Sequence, residues 1–198
     1  MQSWLSPLEL HKASRFAFER DRRRYLAAHT ALRQLLAART TVEPQNLQFA
    51  EGPYGKPALR NASGCAFNIS HSADDAVVLI AAQGEIGVDI EVLRPMPDAQ
   101  ALAQRNFSGE ESAALAGTDA VLRDSAFLTG WTRKEACLKA IGSGLSIAPD
   151  TFTGGLAHEA LRTVIRTPQG LAEVAVQSFC HEQRLLVAWA RVWALQRR

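Results

Sequence analysis

Asp89 and Glu91 stand two apart in the apolar run from Ile86 to Val92, so strand alternation sends both carboxylates to one face and Val88 and Ile90 to the other. Carboxylates side by side repel, and one raises the other's pKa unless a cation lies between them. Mg²⁺ takes such sites, using one or a few carboxylates and completing six oxygens from phosphates and water. Glu135 and Lys139, four apart in Trp131-Thr132-Arg133-Lys134-Glu135-Ala136-Cys137-Leu138-Lys139, share a helix face beside Trp131 and Leu138, from which Lys134 and Cys137 diverge. In Phe67-Asn68-Ile69-Ser70-His71-Ser72 an apolar strand ends in hydroxyls and an imidazole, groups that can donate to phosphate oxygens. Each cluster alone has a plainer reading: a solvated strand face, a surface salt bridge worth roughly a few tenths of a kcal/mol, and a polar turn. Together they supply what phosphoryl-type transfer requires. Asp89, Glu91 and Glu135 could clamp one Mg²⁺, Lys139 could meet the leaving phosphate, and a base would stand near the incoming hydroxyl. No Gly-rich Walker loop is present, which argues against an ordinary NTPase.

The elements that must position these residues are legible in outline. Ser6-Pro7 reads as an N-cap with proline at the first helical position, opening a helical region that reaches Arg39. Leu26, Leu32, Leu35 and Leu36 form its apolar stripe, with arginines elsewhere around the helix, and a break near Phe18 to Asp21 divides it in two. Gly52-Pro53 and Gly55-Lys56-Pro57 are turns after an extended piece, Leu47 to Ala50, and Asn61 to Gly64 form another. Strands are expected at Cys65 to Ile69, Ala76 to Ala82 and Ile86 to Val92, the last two joined by a hairpin at Gln83-Gly84. Pro95-Met96-Pro97 reads as a linker, dividing the chain into halves 1–94 and 95–198. Beyond it come a helix at Ala99 to Arg105, a capping box at Ser108 and Glu111, and a longer helix from Asp124 to Ile141 ending at Gly142 and Gly144. Strand-like runs follow at Leu171 to Phe179 and Leu185 to Val192. The expected class is α+β, with halves alike in pattern, helix then strands, and no clear sequence repeat.

Composition narrows the choice of partner. The 198 residues are 47% hydrophobic and 21% charged, as in an ordinary globular chain, and no apolar run reaches the roughly 18 residues that span a bilayer. The N-terminus lacks a signal-peptide pattern, and Cys65, Cys137 and Cys180 are scattered, which suits a reduced cytoplasm and small core or half-buried positions. Between His11 and Arg39 eight basic residues (Lys12, Arg15, Arg20, Arg22, Arg23, Arg24, Arg33, Arg39) face only Glu19 and Asp21. Such a segment calls for an anionic neighbour or open solvent. A nucleic-acid-binding domain would use this segment but leave Asp89, Glu91 and Glu135 without purpose, and carboxylates repel a phosphate backbone. A small polyphosphate suits the whole set better.

With FNISHS at 67–72, GVDIE at 87–91 and WTRKEACLKAIGSGL at 131–145 in that order, the chain resembles the Sfp-type 4′-phosphopantetheinyl transferases over nearly its whole length. Weaker matches are RFAFERDRRRYLAAHTALR, YGKP at 54–57 and RNFSGEE at 105–111. The resemblance implies two similar α/β halves related by a pseudo-twofold axis, with coenzyme A in the cleft between them. It implies that Asp89, Glu91 and Glu135 hold Mg²⁺, that Lys139 binds the pyrophosphate, and that Ser70 and His71 contact the 3′-phosphate. Lys12, Arg24 and Lys56 match basic contacts to the nucleotide end. Glu135, or a water it holds, would take the proton from a serine of an apo acyl or peptidyl carrier protein. A chain with both halves is expected to act as a monomer, without nucleic acid or membrane; a relative that binds coenzyme A but no longer transfers is the alternative within the family. Two features depart from the pattern: the family usually opens with a strand, whereas this chain reaches Ser6-Pro7 almost at once, and Asn106 stands where a second aromatic commonly accompanies Phe107.

Overall fold

Ser6 caps the first helix, as its sequence suggests. In the computed structural model, which describes residues 4–62 and 64–197, α1 (Pro7–Ser14) starts with a complete capping box. The Ser6 hydroxyl accepts from the Glu9 amide while the Glu9 carboxylate accepts from the Ser6 amide. After the expected break the chain resumes as α2 (Glu19–Ala37). Its apolar stripe is narrower than expected, because Leu35 is exposed while Leu32 and Leu36 are buried. The larger surprise is Arg33, which lies inside the protein at 1% exposure. Its guanidinium donates to both Glu9 oxygens at 2.7–3.2 Å and to the Pro44 and Leu47 carbonyls, and it lies 4.9 Å from the centre of the Phe49 ring. A buried charge is tolerable only when paired and hydrogen-bonded in this way.

β1 (Phe49–Glu51) pairs with β2 (Pro57–Leu59), and β3 (Ala66–Ser72) pairs with β4 (Asp75–Ala81), both antiparallel. Ser63, within the turn expected at Asn61 to Gly64, lies outside the described residues, as do residues 1–3 and Arg198. Two expectations need correction. Ser70, His71 and Ser72 do not lie past a strand end; they are in register opposite Val77, Ala76 and Asp75 within β3. Nor does Gln83-Gly84 close a hairpin: the tight turn is at Ala73-Asp74, where Ala73 takes φ 52°. β5 (Ile86–Val92) forms its ladder with β8 (Leu185–Arg197) rather than with β4, and Val88 and Ile90 are buried in one cluster with Leu185 and Val187 of β8 and Val77 and Leu79 of β4.

The second half begins with α3 (Ala99–Asn106), α4 (Gly109–Ala116) and α5 (Ala120–Ile141), followed by β6 (Leu161–Thr167), β7 (Gly170–His181) and β8. One antiparallel sheet runs β5-β8-β7-β6, so it crosses the boundary expected between residues 94 and 95. α5 lies on this sheet through Ala136, Cys137 and Ala140, packed against Ile165, Val174, Val176, Ala188 and Ala190. The class is α+β. Cys137 is in this core and Cys65 is half-buried, but Cys180 is exposed on β7, against expectation. Among the described residues no helix is long and apolar enough to cross a membrane.

Glu9 makes a testable contribution to stability. Burial pushes its carboxyl up, but the bonds from His29, Arg33 and Ser6 outweigh burial and hold it at about 2, below the ordinary 4.5. A depressed carboxyl stabilises the fold above its unfolded pKa and loses that contribution as pH falls from 4.5 through about 2. Glu9→Gln is expected to cost about 3 kcal/mol at neutral pH and to remove this part of the acid dependence. Urea melts of both proteins at pH 7, 4 and 3 check it; parallel stability curves would contradict it.

Candidate active site

The site is built where β5 meets α5 backbone to backbone. A Cβ at Gly87 would collide with the Ala136 carbonyl oxygen and the Ala140 amide, so only glycine lets the strand lie this close to the helix. Two residues on, Asp89 comes within reach of Lys139, and Lys139 Nζ donates to Asp89 Oδ1 at 2.6 Å. Ser70 joins from β3: its hydroxyl donates to the same Oδ1 at 2.8 Å and accepts from Lys139 Nζ at 2.9 Å. The helix-surface pair between Glu135 and Lys139 does not form. The lysine reaches Asp89 instead, and among the described residues no hydrogen bond or ion pair engages Glu135.

β3 is tied to β5 by its side chains. Asn68 Oδ1 accepts from the Val88 amide at 2.8 Å, and Ser72 Oγ accepts from the Val92 amide at 3.3 Å while donating to Glu91 at 3.2 Å. Alternation thus puts Asn68, Ser70 and Ser72 on the face toward β5, and His71 on the other. Glu91 also pairs with Arg94 at 2.7 Å. Sequence reasoning assigns no role to Asn68 or Arg94 and offers the Ser72 hydroxyl to phosphate rather than to β5; the signal for Asn68 is an amide inside an otherwise apolar strand run.

The electrostatics match a crowded set of carboxylates. Asp89 is raised above the ordinary range by burial, which outweighs Lys139 and Ser70, and Glu91 adds to the rise. Glu135 is raised by burial and by Asp89, with Lys139 opposing and Glu91 adding. Three mutually repelling oxygen donors fit the chemistry of a hard divalent cation. Among the described residues, however, no three such side chains converge at metal-holding distance. Asp89 and Glu91 are already engaged by Lys139 and Arg94.

The other candidate residues fall around two clefts. One, of ≈ 260 Å³, is lined by Tyr54, Lys56, Ile69, Glu135, Lys139 and Gly142. Lys56 spans its edge, donating to Glu85 at 2.7 Å and to the Ala140 carbonyl at 2.8 Å, where a cation suits the C-terminal end of α5. Gly142, at φ 74°, ends that helix with the Lys56 stem beside it. The second cleft, ≈ 640 Å³, is lined by Phe16, Arg23, Arg24, Tyr25, His71 and Asp74. Arg24 is paired there with Asp74 at 2.8 Å and Asp21 at 3.2 Å, and Lys12 stands 5.7 Å from the Tyr25 ring centre. Ser70 and His71, adjacent in sequence, therefore serve different surroundings.

Residues 85–188 match the family model of the 4′-phosphopantetheinyl transferase superfamily, and residues 1–84 match the model for the 4′-phosphopantetheinyl transferase N-terminal region. A putative 4′-phosphopantetheinyl transferase of Synechocystis sp. is 39% identical over 147 residues, 73% of this chain and 60% of its own length. The 4′-phosphopantetheinyl transferase HetI of Nostoc sp. is 39% identical over 145 residues, covering 72% and 61%. The 4′-phosphopantetheinyl transferase Sfp of Bacillus subtilis is 28% identical over 177 residues, covering 89% and 77%. The chain spans about three fifths of the length of the Synechocystis and Nostoc relatives.

The β5–α5 contact is directly testable. Gly87→Ala must push strand and helix apart, at a cost of about 3 kcal/mol for an overpacked site whose neighbours are backbone. Guanidinium melts measure it, and an unchanged midpoint would mean that the two backbones are not in contact.

Proposed function

The chain belongs to the 4′-phosphopantetheinyl transferase superfamily, and from that premise we propose that it transfers the 4′-phosphopantetheine group of coenzyme A to a serine of an apo carrier protein, acyl or peptidyl, releasing adenosine 3′,5′-bisphosphate. The observation that carries this reading is the contact of Lys139 with Asp89 and Ser70 beside the unengaged carboxylate of Glu135. In the reaction the serine oxygen bonds to the phosphorus nearer pantetheine, and the bond from that phosphorus to the oxygen of the adenosine-side phosphate breaks. The electron pair leaves on that oxygen. Lys139 is assigned to the phosphate oxygens that gain charge, as a preorganised donor whose contact strengthens toward the transition state. Glu135 is assigned to hold the serine proton, directly or through a water.

Asp89, Glu91 and Glu135 are the side chains that would hold Mg²⁺, which when bound neutralises charge on the diphosphate. Lys56, Arg24 and Lys12 are assigned to the nucleotide end, and Ser70 and His71 to its phosphates. The proposed cleft lies between pseudo-twofold halves, residues 1–94 and 95–198. A cytoplasmic monomer is the setting proposed for it. The nucleic-acid reading loses support, since Arg33 faces inward and Arg22 and Arg24 are paired with Glu19, Asp21 and Asp74.

Intact mass spectrometry of an apo carrier incubated with the protein, Mg²⁺ and coenzyme A tests the reading: the carrier should gain one phosphopantetheine group. No gain on either acyl or peptidyl carriers would overturn it. Lys139→Ala is expected to lower the single-turnover rate by about 10²–10³-fold. Lys56→Ala should instead raise KM for coenzyme A more than it lowers kcat. Removing the 3′-phosphate from the substrate should weaken wild-type binding, and His71→Ala should shrink that difference.

A further inference from the structure

Lys139 stands on the oxygen that a divalent cation would use. Its ammonium lies 2.6 Å from Asp89 Oδ1 and 2.9 Å from Ser70 Oγ, and Ser70 closes the triangle on the same Oδ1 at 2.8 Å. Asp89 is 6% exposed, so few directions of approach to that oxygen exist, and two are filled. The lysine bypasses Glu135, its neighbour one helical turn away, although that carboxylate has no other partner among the described residues. The choice of Asp89 is therefore set by the tertiary fold. Glu91 is engaged as well, by Arg94, but that arginine is half exposed and its grip is that of a surface pair.

Resting on the transferase reading, we infer that Lys139 is a resident counter-ion that competes with Mg²⁺ for Asp89, and that metal entry drives its ammonium off the carboxylate toward the substrate phosphates. An ammonium on a four-carbon stem, 31% exposed, can make that move without disturbing α5. Two cations on one buried carboxylate oxygen repel, so the lysine weakens metal binding by the worth of its own contact with Asp89. A diphosphate offers the ammonium new acceptors and lifts that opposition. By linkage the effect is reciprocal: each of the two, metal and diphosphate, tightens the other through a protein side chain, beyond any direct bond between them.

The test is calorimetric titration of the protein with Mn²⁺ alone, without coenzyme A, so that it reads binding rather than turnover. Lys139→Met keeps the stem and removes the charge, and should bind Mn²⁺ about tenfold more tightly than wild type, or better. Lys139→Arg keeps the charge and should stay within about threefold of wild type. Asp89→Asn should weaken binding in both the wild-type and Lys139→Met backgrounds. Equal affinity in wild type and Lys139→Met, with Asp89→Asn still weakening both, overturns the competition while leaving the carboxylates as the metal site. No Mn²⁺ binding by any variant overturns the inference and the metal assignment together. The unaltered chain supplies a second measurement, labelling by an amine reagent read by mass spectrometry. Mg²⁺ should increase modification of Lys139, and labelling that Mg²⁺ leaves unchanged or lowers overturns the inference even if Lys139→Met does not fold.

Discussion

A carboxylate at the third position of a short helix, reaching a cation buried in the long helix beneath it, is the interaction on which the rest of this protein depends. It occurs twice. Glu9 closes the capping box of α1 and holds Arg33 of α2 at 2.7 Å; Glu111 closes the capping box of α4 and holds Lys134 of α5 at 2.7 Å. Glu111 further accepts from the amides of Gly154 and Gly155, and Lys134 donates to the carbonyls of Pro149 and Phe152. Burial this deep would be unaffordable for a lone charge, but here each has a full set of partners. The second clamp fixes the rotation of α5. With Lys134 drawn inward on one side, its neighbour Glu135 is turned toward the cleft, and Lys139 follows one turn later.

The other half of the site is aimed by β3, which behaves as a third layer of contact rather than as a ladder partner of β5. Asn68, Ser70 and Ser72 each bond to β5 through a side chain. Side chains doing the work of backbone leave the strands farther apart than a ladder would. They also place hydroxyls directly beside Asp89 and Glu91, where a ladder would place only amides and carbonyls. The polar stretch that looked like the end of a strand is thus a strand whose inner face is made of hydrogen-bonding groups.

This explains what could and could not be read in the sequence. Both capping boxes obey local rules and one was visible from spacing alone, as were the span of β5 and the end of α5 at Gly142. Asp89, Glu135 and Lys139 were recognisable as residue types; of these, Lys139 meets Asp89, while among the described residues no hydrogen bond or ion pair engages Glu135. The partner of Lys139 was not readable, because spacing along a helix sees Glu135 four residues away and not Asp89 fifty residues away on a strand. Arg33 was hidden for a similar reason: a charge is assigned to solvent until a buried carboxylate is found for it. Gly84 suggested a hairpin that the apolar pairing of β5 with β8 overrides. In β6 the alternating Arg162 and Arg166 masked a strand whose Ile165 and Thr167 are buried.

The pairing of β5 with β8 also sets an order in time. The carboxylate strand lies near the middle of the chain, yet its sheet neighbour is supplied by residues 185–191, about a hundred positions later. Contacts this distant in sequence form late, because a long loop must close before any of their stabilisation is gained. On a chain emerging from the ribosome, β3 and β4 can pair, α2 can cover them and β5 can bond to the side chains of β3 well before β5 has a backbone ladder partner. Asp89 and Glu91 are therefore among the last side chains to be fixed in place. Until β8 arrives, the backbone edge of β5 that β8 will pair is open to other strands, and this is the stage of synthesis at which the chain is most exposed to aggregation.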